Sequence, residues 1–238
     1  MERNLKTLVA SGVFALGLAG MGTANATMQS YICDTVDCSG ANTHIVTDGG
    51  AGDGSAGANG VIISTFSYGG LTVLVSTSQS KPAVGSAAAP QLDLTFTITG
   101  AGTVYMYVAD TDFTGIGTLS GQVDGNSSAA AGGDAQVGVF NGTNNTNTLP
   151  NAVTFLAVSP HFPIGGGASF HQDLLTGIVG NAANPYSLTL GLFVSQSGSG
   201  TTTGDLNIHQ TPTVPEPASL ALLGIALAGL GFVRRKQA

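Results

Sequence analysis

The chain has 238 residues and a net charge of −7 at pH 7, and only six of its residues are lysine or arginine. So few cations cannot neutralise the phosphates of a nucleic acid, and the composition therefore excludes a nucleic-acid-binding protein. Apolar residues make up 42% of the chain and occur in short periodic runs, which argues against an intrinsically disordered protein.

The first 26 residues have the pattern of a secretory signal peptide. Arg3 and Lys6 form a basic start, residues 8–18 are mostly apolar, and Ala24-Asn25-Ala26 matches the small-x-small pattern of a cleavage site. We therefore expect residues 1–26 to be removed on export, which makes Thr27 the first residue of the mature chain.

Residues 27–213 are predicted to form one secreted domain with an acidic surface. This segment contains eleven aspartates, no glutamate, no arginine and a single lysine, Lys81, which gives it a net charge of −10. Such a charge favours cations or a positively charged surface as partners. It also suits an exported protein that only has to stay soluble, and the sequence leaves both interpretations open.

Cys33 and Cys38 are the only two cysteines of the chain. In an exported protein, one C-x4-C pair predicts a local disulfide. Metal binding by the two thiols is the alternative, although a zinc site needs further ligands nearby.

The body shows the two-residue period of β-strands. In residues 91–99, Leu92, Leu94, Phe96 and Ile98 alternate with polar residues, which predicts one buried and one solvated face. Further strands are predicted at 44–47, 61–68, 71–77, 103–109, 118–123, 135–140, 152–159, 168–171, 186–196 and 205–209. Many short strands between glycine, asparagine and proline predict an all-β fold, an antiparallel β-sandwich that is jelly-roll-like.

Local patterns add several finer expectations. The turn at 100–102 predicts a hairpin between strands 91–99 and 103–109. Asn59-Gly60 and Asn141-Gly142 are predicted turns, because both residue types tolerate positive φ. Residues 49–59 and 197–203 are predicted loops, and residues 172–179 are the best helix candidate of the body.

Asp110, Asp112 and Gly115 match the first, third and sixth positions of an EF-hand calcium loop. The twelfth position is Gly121, where the loop requires a bidentate carboxylate. Asp110 and Asp112 are thus weak candidates for a calcium site, and calcium is the only cofactor that the sequence brings into consideration. The alternative is that both carboxylates bond to the backbone of a turn at a strand end.

Catalytic motifs are missing from the sequence. The segment around Ser169 departs from the G-x-S-x-G elbow because His171 replaces the last glycine. The four histidines lack metal-binding spacing, and the body has no glutamate to act as a general acid. We therefore expect no enzymatic activity.

Two tyrosines, Tyr105 and Tyr107, share one face of a predicted strand. Their rings are candidates for stacking on the sugars of a polysaccharide, and ordinary cross-strand packing is the alternative.

Residues 214–238 combine three parts in a defined order. Val214-Pro215-Glu216-Pro217 precedes an apolar stretch, about 218–233, that predicts a transmembrane helix, and Arg234, Arg235 and Lys236 follow as a basic stop. The basic residues should stay in the cytoplasm, which places the body outside. The stretch 220–233 spans only about 21 Å as a helix, less than the roughly 30 Å of a hydrocarbon core. A transient membrane stop is therefore favoured over the alternative, a permanent anchor.

With these parts the tail resembles the PEP-CTERM sorting signal of Gram-negative bacteria. The resemblance covers V-P-E-P, A-S-L, the apolar stretch with glycines and R-R-K. It implies recognition by an exosortase, a membrane cysteine protease, with cleavage near residues 215–217. It further implies an inner-membrane intermediate and delivery to the cell surface or to the exopolysaccharide matrix of a biofilm.

Together these features predict an exported, non-enzymatic protein of the cell surface or extracellular matrix. Its expected partners are the secretion machinery, an exosortase, the membrane through its C-terminal helix, and exopolysaccharide. The alternatives are a polysaccharide-binding module and a calcium-dependent adhesion module.

Overall fold

The computed structural model describes residues 28–128, 130–142, 145–146, 149, 153–179 and 185–212. These residues form thirteen β-strands and no helix. In chain order the strands are β1 (Gln29–Cys33), β2 (Thr43–Thr47), β3 (Val61–Tyr68), β4 (Leu71–Gln79), β5 (Gln91–Thr99), β6 (Gly102–Phe113), β7 (Gly117–Ser127), β8 (Gly133–Gly142), β9 (Val153–Val158), β10 (Phe162–Ile164), β11 (Ser169–Val179), β12 (Tyr186–Gln196) and β13 (Thr201–Pro212).

The strands build two antiparallel sheets that pack face to face as a β-sandwich. The first sheet has the order β10-β8-β12-β6-β1-β2, and β9 also pairs with β8. The second sheet has the order β11-β7-β13-β5-β4-β3. Because successive strands from β5 to β8 alternate between the sheets, neighbours within a sheet are usually distant in sequence.

The core lies between the inner faces of the two sheets. In β5 the apolar residues at 92, 94, 96 and 98 are at most 1% exposed. They pack in one cluster with the inner residues of β6 (Val104, Met106 and Val108) and with alternate residues of β12 (Leu188, Leu190, Leu192 and Val194). The two-residue period predicted for 91–99 is therefore confirmed, with one face in the core and the other toward solvent.

The strand predictions hold for most of the body, since β3, β5 and β12 have the predicted bounds. Two strands, β1 and β10, were not predicted. The predicted loop 197–203 is too long, because β13 begins at residue 201. Asn141 and Gly142 end β8 rather than forming a turn, whereas Gly60 does adopt a positive φ of 78° in a turn.

The predicted hairpin between residues 91–99 and 103–109 is wrong. β5 belongs to the second sheet and β6 to the first, so the chain crosses between the sheets at residues 100–101. Gly100 has a φ of 107°, and a Cβ at this position would collide with the carbonyl oxygen of Gly70. The glycines thus provide a tight crossover, which the sequence does not distinguish from a hairpin turn.

The predicted helix at residues 172–179 is also wrong, because this segment belongs to β11. β11 pairs with β7 from Ser169 to Val179, with one register shift after Leu175. Leu174 and Thr176 are buried while the neighbouring Leu175 is 73% exposed, which is the alternation of a strand. Pairing along the edge of the sheet overrides the local sequence preference.

Candidate functional site

A shallow groove crosses the outer face of the first sheet. Its floor consists of Gly138 in β8 and Gly191 in β12, which lie opposite each other in the register. These glycines belong to a row of residues that pair across neighbouring strands. In this row Tyr107 of β6 pairs with Gly191, and Val158 of β9 pairs with Gly138. Because the two glycines have no side chains, the surface drops between these neighbours and leaves a cavity of about 90 Å³.

Aromatic side chains line one side of this groove. Phe193 in β12 is two residues from Gly191 and therefore lies on the same outer face. Its ring centroid lies 5.1 Å from that of Tyr105 and 5.5 Å from that of His161, whose ring stands nearly perpendicular to it. Tyr105 and Phe193 are half-buried, so part of each ring faces the groove and the solvent.

Tyr107 has a different role from that of Tyr105, although both lie on the outer face of β6. The Tyr107 side chain is buried, and its hydroxyl donates a hydrogen bond of 2.7 Å to the carbonyl oxygen of Val36. Burial raises the pKa of the Tyr107 phenol. The two tyrosines are therefore not an exposed pair, and the accessible rings at the groove belong to Tyr105 and Phe193.

The Cys33–Cys38 disulfide holds the loop that forms one end of the groove. Cys33 ends β1, and the two Cα atoms are 5.1 Å apart. The bridge closes the short loop that carries Val36, whose side chain is 62% exposed at the groove. The disulfide thus fixes both the exposed Val36 side chain and the carbonyl that Tyr107 uses.

Asp110 and Asp112, the weak calcium candidates, have separate partners. Asp110 is fully buried in β6, where its carboxylate accepts hydrogen bonds from Lys81 Nζ at 2.8 Å and from Ser80 Oγ at 2.5 Å. Asp112 has a φ of 62°, and its Oδ1 accepts a bond of 2.7 Å from Asn145 Nδ2. The carboxylate of Asp110 therefore forms an ion pair with the only lysine of the body.

No group of three or more histidine, cysteine, aspartate or glutamate side chains that could hold a metal ion occurs within the described ranges.

A row of polar side chains crosses the outer face of the second sheet. One row across four strands places His171, Asp124, Asp205 and Thr95 side by side. Thr95 Oγ1 donates to Asp205 Oδ1 at 2.8 Å. His171 Nδ1 lies 2.6 Å from Asp124 Oδ1, and this hydrogen bond raises the pKa of His171. His171 Nε2 also lies 3.2 Å from Oδ1 of Asp173, which is two residues further along β11.

Asp93 is the member of this face whose ionisation is most perturbed. Burial, and then the charge of Asp205, raises its pKa to about 6. Free aspartate ionises near pH 3.9, so between about pH 4 and pH 6 the unfolded chain loses this proton before the folded protein does. The folded state is thus destabilised as the pH rises through this window, and the penalty persists above it.

Replacing Asp93 with asparagine should therefore raise the melting temperature at about pH 8 and should not raise it at about pH 4. Thermal unfolding at both pH values measures this difference. Asp173→Asn is the matched control, because Asp173 lies in the same cross-strand row but is 79% exposed and contacts His171. An equal change at both pH values for Asp93→Asn would contradict the assigned ionisation.

The predicted sorting and cleavage residues lie outside the described residues. These are Ala24, Ala26 and Thr27 at the N-terminus, the motif Val214 to Pro217, the helix at about 218–233, and the basic stop Arg234, Arg235 and Lys236. Within the part of the chain that is described, no helix has the length and apolar character to cross a membrane.

Comparison with protein families identifies the tail. A family model described as the PEP-CTERM protein-sorting motif matches residues 213–236. The tail carries the PEP-CTERM sorting motif. The match covers the tail, from the residue before Val214 to Lys236, and it agrees with the order of parts in the sequence. No curated protein matches this chain.

Two solved structures that match this chain are distant from it in sequence. A family 16 carbohydrate-binding module has 13% identity and a TM-score of 0.30, with 53% of this chain and 80% of that chain covered. TmCBM61, solved with β-1,4-galactotriose, has 5% identity and a TM-score of 0.33, with coverages of 56% and 87%. With TM-scores this low, the likenesses carry no argument about the ligand of this protein.

The residues of the groove were not among the sequence-predicted sites, apart from Tyr105 and Tyr107. Gly138, Gly191 and Phe193 come together only through the pairing of β8, β12 and β6. The local signals are Gly138 and Gly191, each a glycine in the middle of a strand with no turn nearby.

Proposed function

We propose that this chain is an exported, non-enzymatic protein of the cell surface or exopolysaccharide matrix. The observation that carries the proposal is the PEP-CTERM sorting motif at residues 213–236. In this proposal the apolar stretch holds an inner-membrane intermediate, an exosortase cuts near Pro215 to Pro217, and the acidic body is delivered to the outside.

The chemistry of the body supports a non-enzymatic role. The closest approach to a catalytic pair among the described residues is Ser120 Oγ, which lies 3.1 Å from His209 Nε2. Both side chains lie on the solvent-facing side of the second sheet, and the register pairs His209 with Gln91 on its other side rather than with a carboxylate. Without a carboxylate to orient the imidazole, this pair has the geometry of a surface hydrogen bond.

We also assign the sandwich to the jelly-roll type. The assignment is supported by the alternation of β5 to β8 and of β11 to β13 between the two sheets. A rigid jelly roll presents two broad outer faces, which suits a protein that is displayed to its surroundings.

Cell fractionation together with intact mass tests the proposal. The protein recovered from the cell surface or the culture matrix should lack residues 1–26 and the tail after the cleavage site. Its mass should also be lower by two hydrogens because of the Cys33–Cys38 disulfide. Recovery of the body in the cytoplasm with its N-terminus intact would overturn the proposal.

Polysaccharide binding is the alternative that a specific observation favours, namely the groove beside Tyr105 and Phe193. Calcium-dependent adhesion lacks comparable support, because the Asp110 carboxylate is already neutralised by Lys81 inside the sandwich.

A further inference from the structure

We propose that the groove over Gly138 and Gly191 binds one ring of a neutral hexopyranose polymer, with the apolar face of the sugar against Phe193 and Tyr105. This inference rests on the proposed function only in that export would bring the groove into contact with extracellular polysaccharide. The binding itself depends on the body alone.

The floor of the groove allows a flat ring to approach the sheet. Gly138 and Gly191 are paired residues on neighbouring strands that carry no side chains, and both lie buried at the bottom of the groove. Tyr107 and Val158 continue this row on both sides of the glycines. A planar or chair-shaped ring of the ligand fits this opening better than a bulky branched group does.

The aromatic wall supplies the attraction for the apolar face of a sugar. Phe193 and Tyr105 are half-buried and held at 5.1 Å from each other, so their rings are ordered before any ligand arrives. The C–H groups on one face of a pyranose carry partial positive charge and stack on the negative face of an aromatic ring. Preordered rings lose little conformational entropy on binding.

Polar groups beside the aromatic wall match the hydroxyls of a sugar. Gln136 pairs with Phe193 in the register, and its Nε2 donates to the carbonyl oxygen of Ser159 at 3.0 Å, which fixes the amide at the groove. His161 Nδ1 lies 2.6 Å from Asp134 Oδ2, and both side chains are about half exposed. The Gln136 amide at the groove and the His161 imidazole beside Phe193 offer hydrogen bonds to hydroxyls that a purely apolar ligand would not use.

The negative charge of the body favours binding of a neutral polymer over binding of an anionic one. Lys81 is the only lysine or arginine between residues 27 and 213, and it is buried against Asp110. The groove therefore has no lysine or arginine to pair with a uronate or a sulfate, and His161 beside it already contacts the Asp134 carboxylate at 2.6 Å. Anionic sugars should be repelled by a body with a net charge of −10.

The size of the groove favours a sugar over a protein partner. A cavity of about 90 Å³ has room for several waters, which one side of a sugar ring can displace. A stable protein interface buries roughly 800 Å² on each partner, far more than this groove offers.

Isothermal titration of the purified full-length chain, kept in a sugar-free detergent, tests the proposal. The probes are three neutral tetrasaccharides (cellotetraose, maltotetraose and mannotetraose) and the anionic tetragalacturonic acid. At least one neutral probe should bind saturably with a Kd below about 1 mM, and the anionic probe should bind more weakly. Phe193→Leu, which keeps an apolar side chain but removes the ring, should raise the Kd roughly tenfold or more.

The chain offers a matched pair of histidine controls. His161 beside the groove and His171 on the opposite sheet each contact an aspartate at 2.6 Å, and their side chains are 54% and 53% exposed. His161→Ala should weaken binding and His171→Ala should leave it unchanged.

The proposal is overturned if no neutral probe binds, if tetragalacturonic acid binds best, or if Phe193→Leu binds as the parent does. Equal weakening by both histidine variants would overturn it too. Because binding is measured in solution, a failure of export leaves this test intact, and a failure of binding leaves the export proposal intact.

Discussion

Replacing Lys81 with methionine should lower the free energy of unfolding by about 3–5 kcal/mol. The Lys81 ammonium lies 2.8 Å from Asp110 Oδ2 and 4.1 Å from the centroid of the Phe113 ring, and both charged side chains are almost completely removed from water. Burial raises the pKa of Asp110, and Lys81 opposes this rise. Methionine fills much of the same space, so the variant mainly removes the charge that compensates a buried carboxylate.

Urea denaturation of the purified protein measures this effect, and a second substitution tests its cause. Lys81→Met combined with Asp110→Leu should recover most of the lost stability, because a well-packed apolar pair often matches or exceeds a buried ion pair. Asp134→Asn is the control, since its pair with His161 is exposed and should contribute less than about 1 kcal/mol. A loss below about 1 kcal/mol for Lys81→Met would show that Asp110 is not held as an ion.

Local patterns predicted the strands well because a buried face needs alternating apolar residues wherever the strand lies. In β5 this period is uninterrupted, and the structure places every apolar member of it in the core. The Cys33–Cys38 bridge could likewise be proposed from spacing, since both cysteines lie within one short loop. These features depend on residues that are neighbours in the chain.

Features that depend on pairing between distant strands could not be predicted. The crossover at Gly100 has the same residues as a hairpin turn, and only the packing of two sheets decides between them. The segment 172–179 becomes a strand because β7 pairs with it along the sheet. In the same way, Lys81 and Asp110 form a buried pair although 29 positions separate them.

The groove illustrates the same point for function. Tyr105 was a sequence candidate, but its expected partner Tyr107 turned out to be buried and bonded to Val36. The ring that accompanies Tyr105 is Phe193, brought beside it by the antiparallel register of β6 and β12. A stacking surface on a sheet consists of neighbours across strands, so a pattern within one strand identifies only half of it.

Changing the sorting motif should have the largest effect on the fate of the protein. The Pro215→Ala and Pro217→Ala double variant relaxes the backbone on both sides of Glu216, and Glu216→Gln removes its charge at almost constant size. If a processing enzyme recognises this segment, both variants should accumulate as a membrane-bound precursor that retains residues 218–238. Intact mass and fractionation of the membrane detect that species directly.

Thr211→Ala is the control, because Thr211 is exposed at the end of β13 and precedes the matched residues 213–236. The melting temperature of the body should stay unchanged in all three variants. Release of the two motif variants at the same rate as the control would mean that the tail acts as a permanent anchor or is cut without recognition of Pro-Glu-Pro.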